Sequence, residues 1–194
     1  MRVKWSDYLA KKPRIIIFDT ETTGLSKDDN DILSISWQIV DTKNWEVSSS
    51  GNIYFQWPEE IERVSIKAFK INKLTKEHLE ELGTIDKEEG INMFAEAVAN
   101  SDLVVGHNVT FDMDFVDATI KRLGMNPIKW PTVFDTMKSM WKYCRKRPKL
   151  IELVHTLNID DSDIDYHQSA SDVEVTKRCF KTIVSNELTT PTNL

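Results

Sequence analysis

Three short patches carry carboxylates and imidazoles at spacings that metal-assisted phosphoryl chemistry would use. They are Phe18-Asp19-Thr20-Glu21-Thr22-Thr23-Gly24, His107-Asn108-Val109-Thr110-Phe111-Asp112 and His167-Gln168-Ser169-Ala170-Ser171-Asp172. In each, a carboxylate stands where the local pattern calls for an apolar side chain. Burying a carboxylate is costly unless it is paired or binds a metal. Three such violations in one chain point to a single shared cation site.

Each patch also has a plainer explanation. Asp19 and Glu21 continue the apolar run Arg14-Ile15-Ile16-Ile17-Phe18, and side chains two apart share a strand face. Asp19 and Glu21 therefore point the same way as Ile15 and Ile17 and repel each other unless a cation lies between them. The plain alternative is two solvated carboxylates in a loop closed by Gly24. On the expected helix that follows His107 and Asn108, Asp112 heads the stripe Val116, Thr119, Leu123, while Asp114, Asp117 and Lys121 face outward. There the alternative is a helix N-terminal charge favoured by the macrodipole. Asp172 heads the stripe Val175, Thr176, Cys179, Ile183, with Ser169 as an alternative N-cap partner. Capping would explain Asp172 but not His167, which sits five residues upstream and could act as a general base. Each alternative stands alone; all three patches lying at strand or helix ends favours convergence on one sheet edge.

The elements that must position these groups read as follows. Arg14 to Phe18 is a central strand buried on both faces. Asp31 to Asp41 and Asn52 to Trp57 are second and third strands, the latter stopped by Pro58, and the short polar connections suit an antiparallel meander. Ser65 to Leu82 and Lys87 to Ala99 have helical periodicity. Leu103 to Gly106 is a fourth strand, a helix covers Asp112 to Leu123 before Gly124, and Thr132 to Asp135 is a fifth strand. Helices follow over Met137 to Tyr143, Lys149 to Leu157 and Ala170 to Asn186. This order predicts an α/β fold, a mixed five-stranded sheet flanked by helices. The expected domain is single, spanning 1–188, with a short flexible tail over 189–194.

At 40% apolar and 29% charged, the 194 residues have globular composition. No apolar run reaches membrane-spanning length, so no membrane association is expected. No apolar segment follows Met1 to Asp7 as a secretory signal would require. Cys144 and Cys179 lack metal-like spacing, and a reducing cytoplasm is the expected compartment. In that compartment the Asn108-Val109-Thr110 sequon is a chance match. The net charge of −6 argues against coating long nucleic acid by charge alone, but not against gripping a short end through metal ions.

Taken together, Asp19-x-Glu21, Asp112 and His167-x4-Asp172 resemble the DEDDh group of 3′→5′ exonucleases, which includes proofreading subunits of bacterial DNA polymerases, ribonuclease T and oligoribonuclease. The likeness runs from about residue 14 to 184. Departures are mild: Ser169 and Val173 stand where small apolar residues often flank the third motif, and Val109 where alanine is frequent. The resemblance implies a ribonuclease H-like fold and two divalent cations, Mg²⁺ or Mn²⁺. Asp19 would bridge them, Glu21 and Asp172 would hold the ion carrying the attacking water, and Asp112 would support the second. His167 would take the water's proton. Thr20, Thr22, Thr23, Gly24 and Leu25 would contact the terminal nucleotide. His107, Asn108 and Phe111 join the expected substrate-binding set, the alternative for His107 and Asn108 being polar groups that shape their loop. The partner would be a single-stranded 3′ end of nucleic acid, with a DNA polymerase or other replication protein as candidate. No long C-terminal extension follows the last expected helix, unlike in replicative proofreading subunits.

Three alternatives remain open at this level: the same chemistry on RNA ends or short oligoribonucleotides, a non-catalytic nucleic-acid-binding module, and a structural interaction domain. Separately, Lys138 to Lys149 contains six cations and no anion, with Trp141 and Tyr143 interleaved. Basic residues among aromatics suit a single-strand track, against the plainer reading of a solvated helix face. Asp135 reads as structural or supporting, and His78 and His155 as ordinary surface or packing residues.

Overall fold

The run Ile15-Ile16-Ile17-Phe18 is fully buried, which only a strand covered on both faces allows. A computed structural model describes residues 4–58 and 66–186. It places this run in β1 (Arg14–Thr22), near the middle of a six-stranded sheet. β1 pairs antiparallel with β2 (Ile32–Asp41), and β2 antiparallel with β3 (Glu46–Phe55). On its other side β1 pairs parallel with β5 (Leu103–Gly106), and β5 parallel with β6 (Thr132–Asp135). The sixth strand, β4 (Thr84–Ile85), adds a two-residue parallel edge beside β3, giving the order β4-β3-β2-β1-β5-β6.

The helices divide between the two faces. Ile16 and Phe18 pack with α4 (Lys87–Ala99) and α5 (Val109–Leu123), in a cluster where Phe94 lies 4.9 Å from the Phe18 ring and Trp130 stacks on it at 5.8 Å. Ile15 and Ile17 face the opposite way. They pack with α8 (Ser169–Ser185), α7 (Leu150–Thr156), α6 (Thr136–Cys144) and Trp5 of α1 (Trp5–Leu9). Truncating a ring such as Phe18 in this core should cost about 3–5 kcal/mol. A third, smaller cluster joins Leu33 to Leu74 and Leu79, under α2 (Ile66–Asn72) and α3 (Lys76–Leu82).

The meander followed by parallel strands matches the expected architecture, with corrections in detail. The sheet has six strands rather than five, because a two-residue strand carries no periodicity to read. β3 begins at Glu46 rather than Asn52; its first half, Val47-Ser48-Ser49-Ser50, is exposed and too polar to look like a strand, yet the ladder to β2 holds it. The helical stretch expected to end at Leu82 is two helices. Lys73 takes a positive φ of 57°, and the Thr75 hydroxyl accepts the His78 N–H as a new N-cap. α5 begins at Val109, not Asp112, with Asn108 in the left-handed region as its cap. α8 takes Gln168 as N-cap rather than Ser169. α1 has five residues, too few to show a helical period in the sequence. The start of the helical stretch at Ser65 and the tail over 189–194 lie outside the described residues. Among the described residues, no helix is long and apolar enough to cross a membrane.

Candidate active site

The carboxyl ends of β1, β5 and β6 meet the N-termini of α5 and α8 at one sheet edge, and the acidic residues gather there. Asp19 and Glu21 share the β1 face that carries Ile15 and Ile17 toward α8. Asp172, in the first turn of α8, comes to them: one oxygen from each of Asp19, Glu21 and Asp172 lies within 4.8 Å of the others. The solvated-loop alternative for Asp19 and Glu21 therefore does not describe this site. The capping alternative for Asp172, with Ser169 as N-cap, is not adopted, since Gln168 is the N-cap and no side chain caps the helix, although the His167 backbone N–H favours the ionised Asp172 carboxylate. Its Oδ1, however, is buried with no hydrogen-bond partner. Ser169 is occupied elsewhere, its hydroxyl meeting those of Ser34 at 3.2 Å and Ser36 at 2.7 Å.

Asp112 completes the acidic set from the other side of β1. It is 4% exposed and heads α5, its Oδ1 accepting the Thr20 N–H at 3.0 Å and the Thr20 hydroxyl at 2.6 Å. Bonds of this kind to a carboxylate are each worth about 1.5–3 kcal/mol. Asp112 is outside the three-oxygen cluster but contributes the largest electrostatic push on Asp19.

The electrostatics are those of a site short of positive charge. Burial, then the carboxylates of Asp112, Glu21 and Asp172, hold Asp19 well above the usual range. Burial and the Asp172 charge push Glu21 up to about 8, against a hydrogen bond from Asn72 that favours its ionised form. Burial lifts Asp112 to about 7 despite the Thr20 bonds, and Asp172 to about 6. Clustered carboxylates with an unpartnered buried oxygen fit a hard divalent cation, which takes oxygen ligands.

Beside the cluster lies a cleft of about 290 Å³ lined by Glu21, Asn72, Leu74, His78, Tyr166 and His167, among others. His167 stands exposed at its rim, in the left-handed region at φ 68°. Leu25, 78% exposed, is the most exposed large apolar side chain of the described residues. The other residues of that loop are held inward. The Thr22 hydroxyl donates to the Gly24 carbonyl at 2.7 Å, and Thr23 exchanges hydrogen bonds with Asp31. A Cβ on Gly24 would collide with the Asn30 side chain. Thr20, Thr22 and Thr23 thus have their hydroxyls engaged within the protein, and they shape the loop that displays Leu25.

The second motif divides. His107 has both ring nitrogens engaged, Nδ1 with the Thr136 hydroxyl at 2.9 Å and Nε2 with the Pro148 carbonyl at 3.0 Å, and burial lowers its pKa. Asn108 is exposed, while its backbone N–H donates to Asp135 at 3.1 Å. Phe111 packs 4.7 Å from Phe115. His107 is thus held in its loop by both ring nitrogens, while Asn108 leaves its side chain exposed and Phe111 precedes Asp112 on the first turn of α5.

Several contributors carried no sequence signal. Asn72 donates to the Thr22 carbonyl across 50 residues and also bonds Glu21, visible only as an amide at a helix end. Asp31, flanked by Lys87 and Arg122, straps the Leu25 loop to α4 and α5. Arg122 also donates to the Lys27 carbonyl at 2.8 Å. His78, expected as a surface or packing residue, is exposed on α3 and lines the cleft.

A family model for exonucleases, RNase_T, matches residues 16–180, spanning all three acidic patches. The chain belongs to this exonuclease family. Its DnaQ-like, 3′→5′ character is supported by relatives among bacterial DNA polymerases III of the PolC type. That of Staphylococcus aureus is 32% identical over 135 residues, covering 70% of this chain and 9% of the polymerase. That of Pediococcus pentosaceus is 32% identical over 130 residues, 66% of this chain and 8% of the polymerase. The exonuclease chain thus spans under a tenth of these relatives. In fold, it resembles Escherichia coli exonuclease I in complex with single-stranded DNA, with a TM-score of 0.77 at 16% identity over 90% of this chain and 42% of that one. Exonuclease I of Methylocaldum szegediense aligns at a TM-score of 0.75 and 16% identity, over 90% of this chain and 41% of that one. The expected ribonuclease H-like architecture is the fold of this exonuclease.

Proposed function

We propose that this exonuclease releases nucleoside 5′-monophosphates from single-stranded or unpaired 3′ ends of DNA, with two divalent cations, Mg²⁺ or Mn²⁺, in a reducing cytoplasm. The observation that carries the reading is the cluster of Asp19, Glu21 and Asp172 beside a cleft that Glu21 lines. Asp19, Glu21 and Asp172 would hold the divalent cations, and Asp112, oriented by Thr20, would support the second of them. When bound, two such ions stabilise the attacking and leaving oxygens of an in-line displacement. His167 takes the proton of the attacking water on a ring nitrogen. The exposed Leu25 side chain packs on the terminal base, while Thr22, Thr23 and Gly24 fix its loop. The Asn72 amide orients Glu21.

DNA is preferred in this reading because the PolC-type relatives are DNA polymerases and the E. coli exonuclease I structure holds single-stranded DNA. The same relatives support a polymerase or another replication protein as partner. Matched 5′-labelled DNA and RNA strands, digested with Mg²⁺ or Mn²⁺, provide the test, with EDTA and Asp19→Asn as controls. A metal-dependent ladder shortening from the 3′ end and faster on DNA is expected. Faster RNA cleavage would make it an exoribonuclease, and no cleavage of either by folded, metal-loaded protein would sink the reading.

A further inference from the structure

Six of the 25 cations of the chain lie between Lys138 and Lys149 with no acidic residue among them, leaving 19 cations against 31 acidic residues elsewhere. α6 turns Thr136, Ser139 and Met140 inward and exposes Lys138, Trp141, Lys142 and, past its end, Arg145 along one outer stripe. Trp141 is 49% and Tyr143 55% exposed, large aromatic areas to leave in water. The Arg147 guanidinium lies over the Trp141 ring at 5.2 Å. Lys146 pairs with Glu152, but Lys142, Arg145 and Arg147 have no carboxylate partner among the described residues.

This patch is fixed to the active-site edge. α6 starts where β6 ends, at Asp135, and Lys138 Nζ reaches Thr110 on the first turn of α5 at 2.6 Å. Pro148 is buried, and its carbonyl is held by His107 at the end of β5. The loop 145–149 is therefore anchored beside the helix that carries Asp112. At nine residues, α6 spans about 13 Å, enough for more than one nucleotide.

We propose that α6 and the loop 145–149 form a second nucleic-acid contact. It is a phosphate and stacking platform that holds the single strand on the 5′ side of the nucleotide being removed. This rests on the exonuclease reading above. Lys142, Arg145 and Arg147 neutralise phosphates, and Trp141 and Tyr143 offer faces on which any base can stack, so the contact is sequence-tolerant. It also lets an acidic protein keep hold of a polyanion through one local patch.

Anisotropy of a 5′-fluorescein single strand of ~12 nucleotides, a length such tracks accommodate, tests this in EDTA over a salt series. The triple variant Lys142→Gln, Arg145→Gln, Arg147→Gln should lose three phosphate contacts. Its salt slope should become shallower by about 2, with at least a tenfold loss of affinity near 0.1 M salt. Trp141→Ala should weaken binding about tenfold at an unchanged slope, because stacking releases no counterion. With metal present, the preference for the long strand over a dinucleotide should fall in both variants. An unaltered slope and affinity in the triple variant would overturn the proposal, and competition by polyglutamate at that patch would then assign it to an acidic protein. Binding is read without turnover, so the two readings fail separately. A wild-type protein that cleaves nothing but shows the slope change loses the exonuclease reading and keeps the platform.

Discussion

Asp31 and Asp19 are the same residue type, both drawn out of water, and their surroundings are opposite. The Asp31 side chain is 16% exposed and meets two cations, Lys87 and Arg122, the latter at 3.1 Å. Asp19 meets the carboxylates of Asp112, Glu21 and Asp172, and among the described residues it pairs with no cation. The first is complete within the protein. The second is stable only protonated or with positive charge from outside. A buried acid paired with its own cations belongs to the scaffold, and one buried among acids marks a ligand site.

The sharpest break of this contrast is Asp19→Asn. It should lower activity about a thousandfold, as loss of several kcal/mol of transition-state stabilisation implies. Removing a repelled charge should leave stability in EDTA unchanged or raised; cleavage kinetics and urea melts read both. Substantial residual activity would mean that the cluster is not the catalytic site.

Metal should separate the two regions next. In EDTA the native state binds extra protons at Glu21 (4.5 raised to about 8), Asp112 (3.8 to about 7) and Asp172 (3.8 to about 6). Across that window the folded form holds more protons than the unfolded chain, so this contribution to stability is full in acid and is lost as pH rises through those raised values. Mn²⁺ or Mg²⁺ at about 100 times its dissociation constant should restore about 2.7 kcal/mol. Thermal melts across pH, with and without metal, give the measurement. A metal response absent at pH 8, or present in Asp19→Asn at full size, would count against the contrast.

Asp31→Ala should act the other way. It should cost about 2 kcal/mol with or without metal, less than a fully buried pair because Arg122 is 41% exposed. Urea denaturation measures this, and a raised KM is expected because the Leu25 loop loses its strap. The smallest effect is expected for Thr20→Val, which removes the 2.6 Å bond to Asp112. It should cost about 1–2 kcal/mol, with about a tenfold loss of activity. An unchanged rate would show that Asp112 needs no orienting partner.

Much of the site was legible because carboxylates at core positions violate a strong local rule. Asp112 at the head of the Val116 stripe and Asp172 at the head of the Val175 stripe stand out without coordinates. The alternation that sends Asp19 and Glu21 toward Ile17's face is equally local. So was the order of elements, apart from β4, too short to have a period, and the first half of β3, whose polar residues a neighbouring strand holds by backbone bonds alone. The threonines of the first motif were less transparent. Their residue type suits substrate contact or loop closure equally, and only the Thr20–Asp112, Thr22–Gly24 and Thr23–Asp31 bonds show the hydroxyls holding the loop. His107 likewise carries the same letters as a ligand-binding histidine until Thr136 and Pro148 are seen on its two nitrogens.

The sequence by itself determined the family, the alternating β1 face and the acidic set, because periodicity and residue chemistry are properties of neighbours along the chain. Tertiary structure alone decided that Asp19, Glu21 and Asp172 converge while Asp112 stands behind Thr20, and that Asp31 is neutralised by residues 56 and 91 positions away. Charge balance depends on distances through space, which strand order and helix packing set and spacing along the chain does not encode.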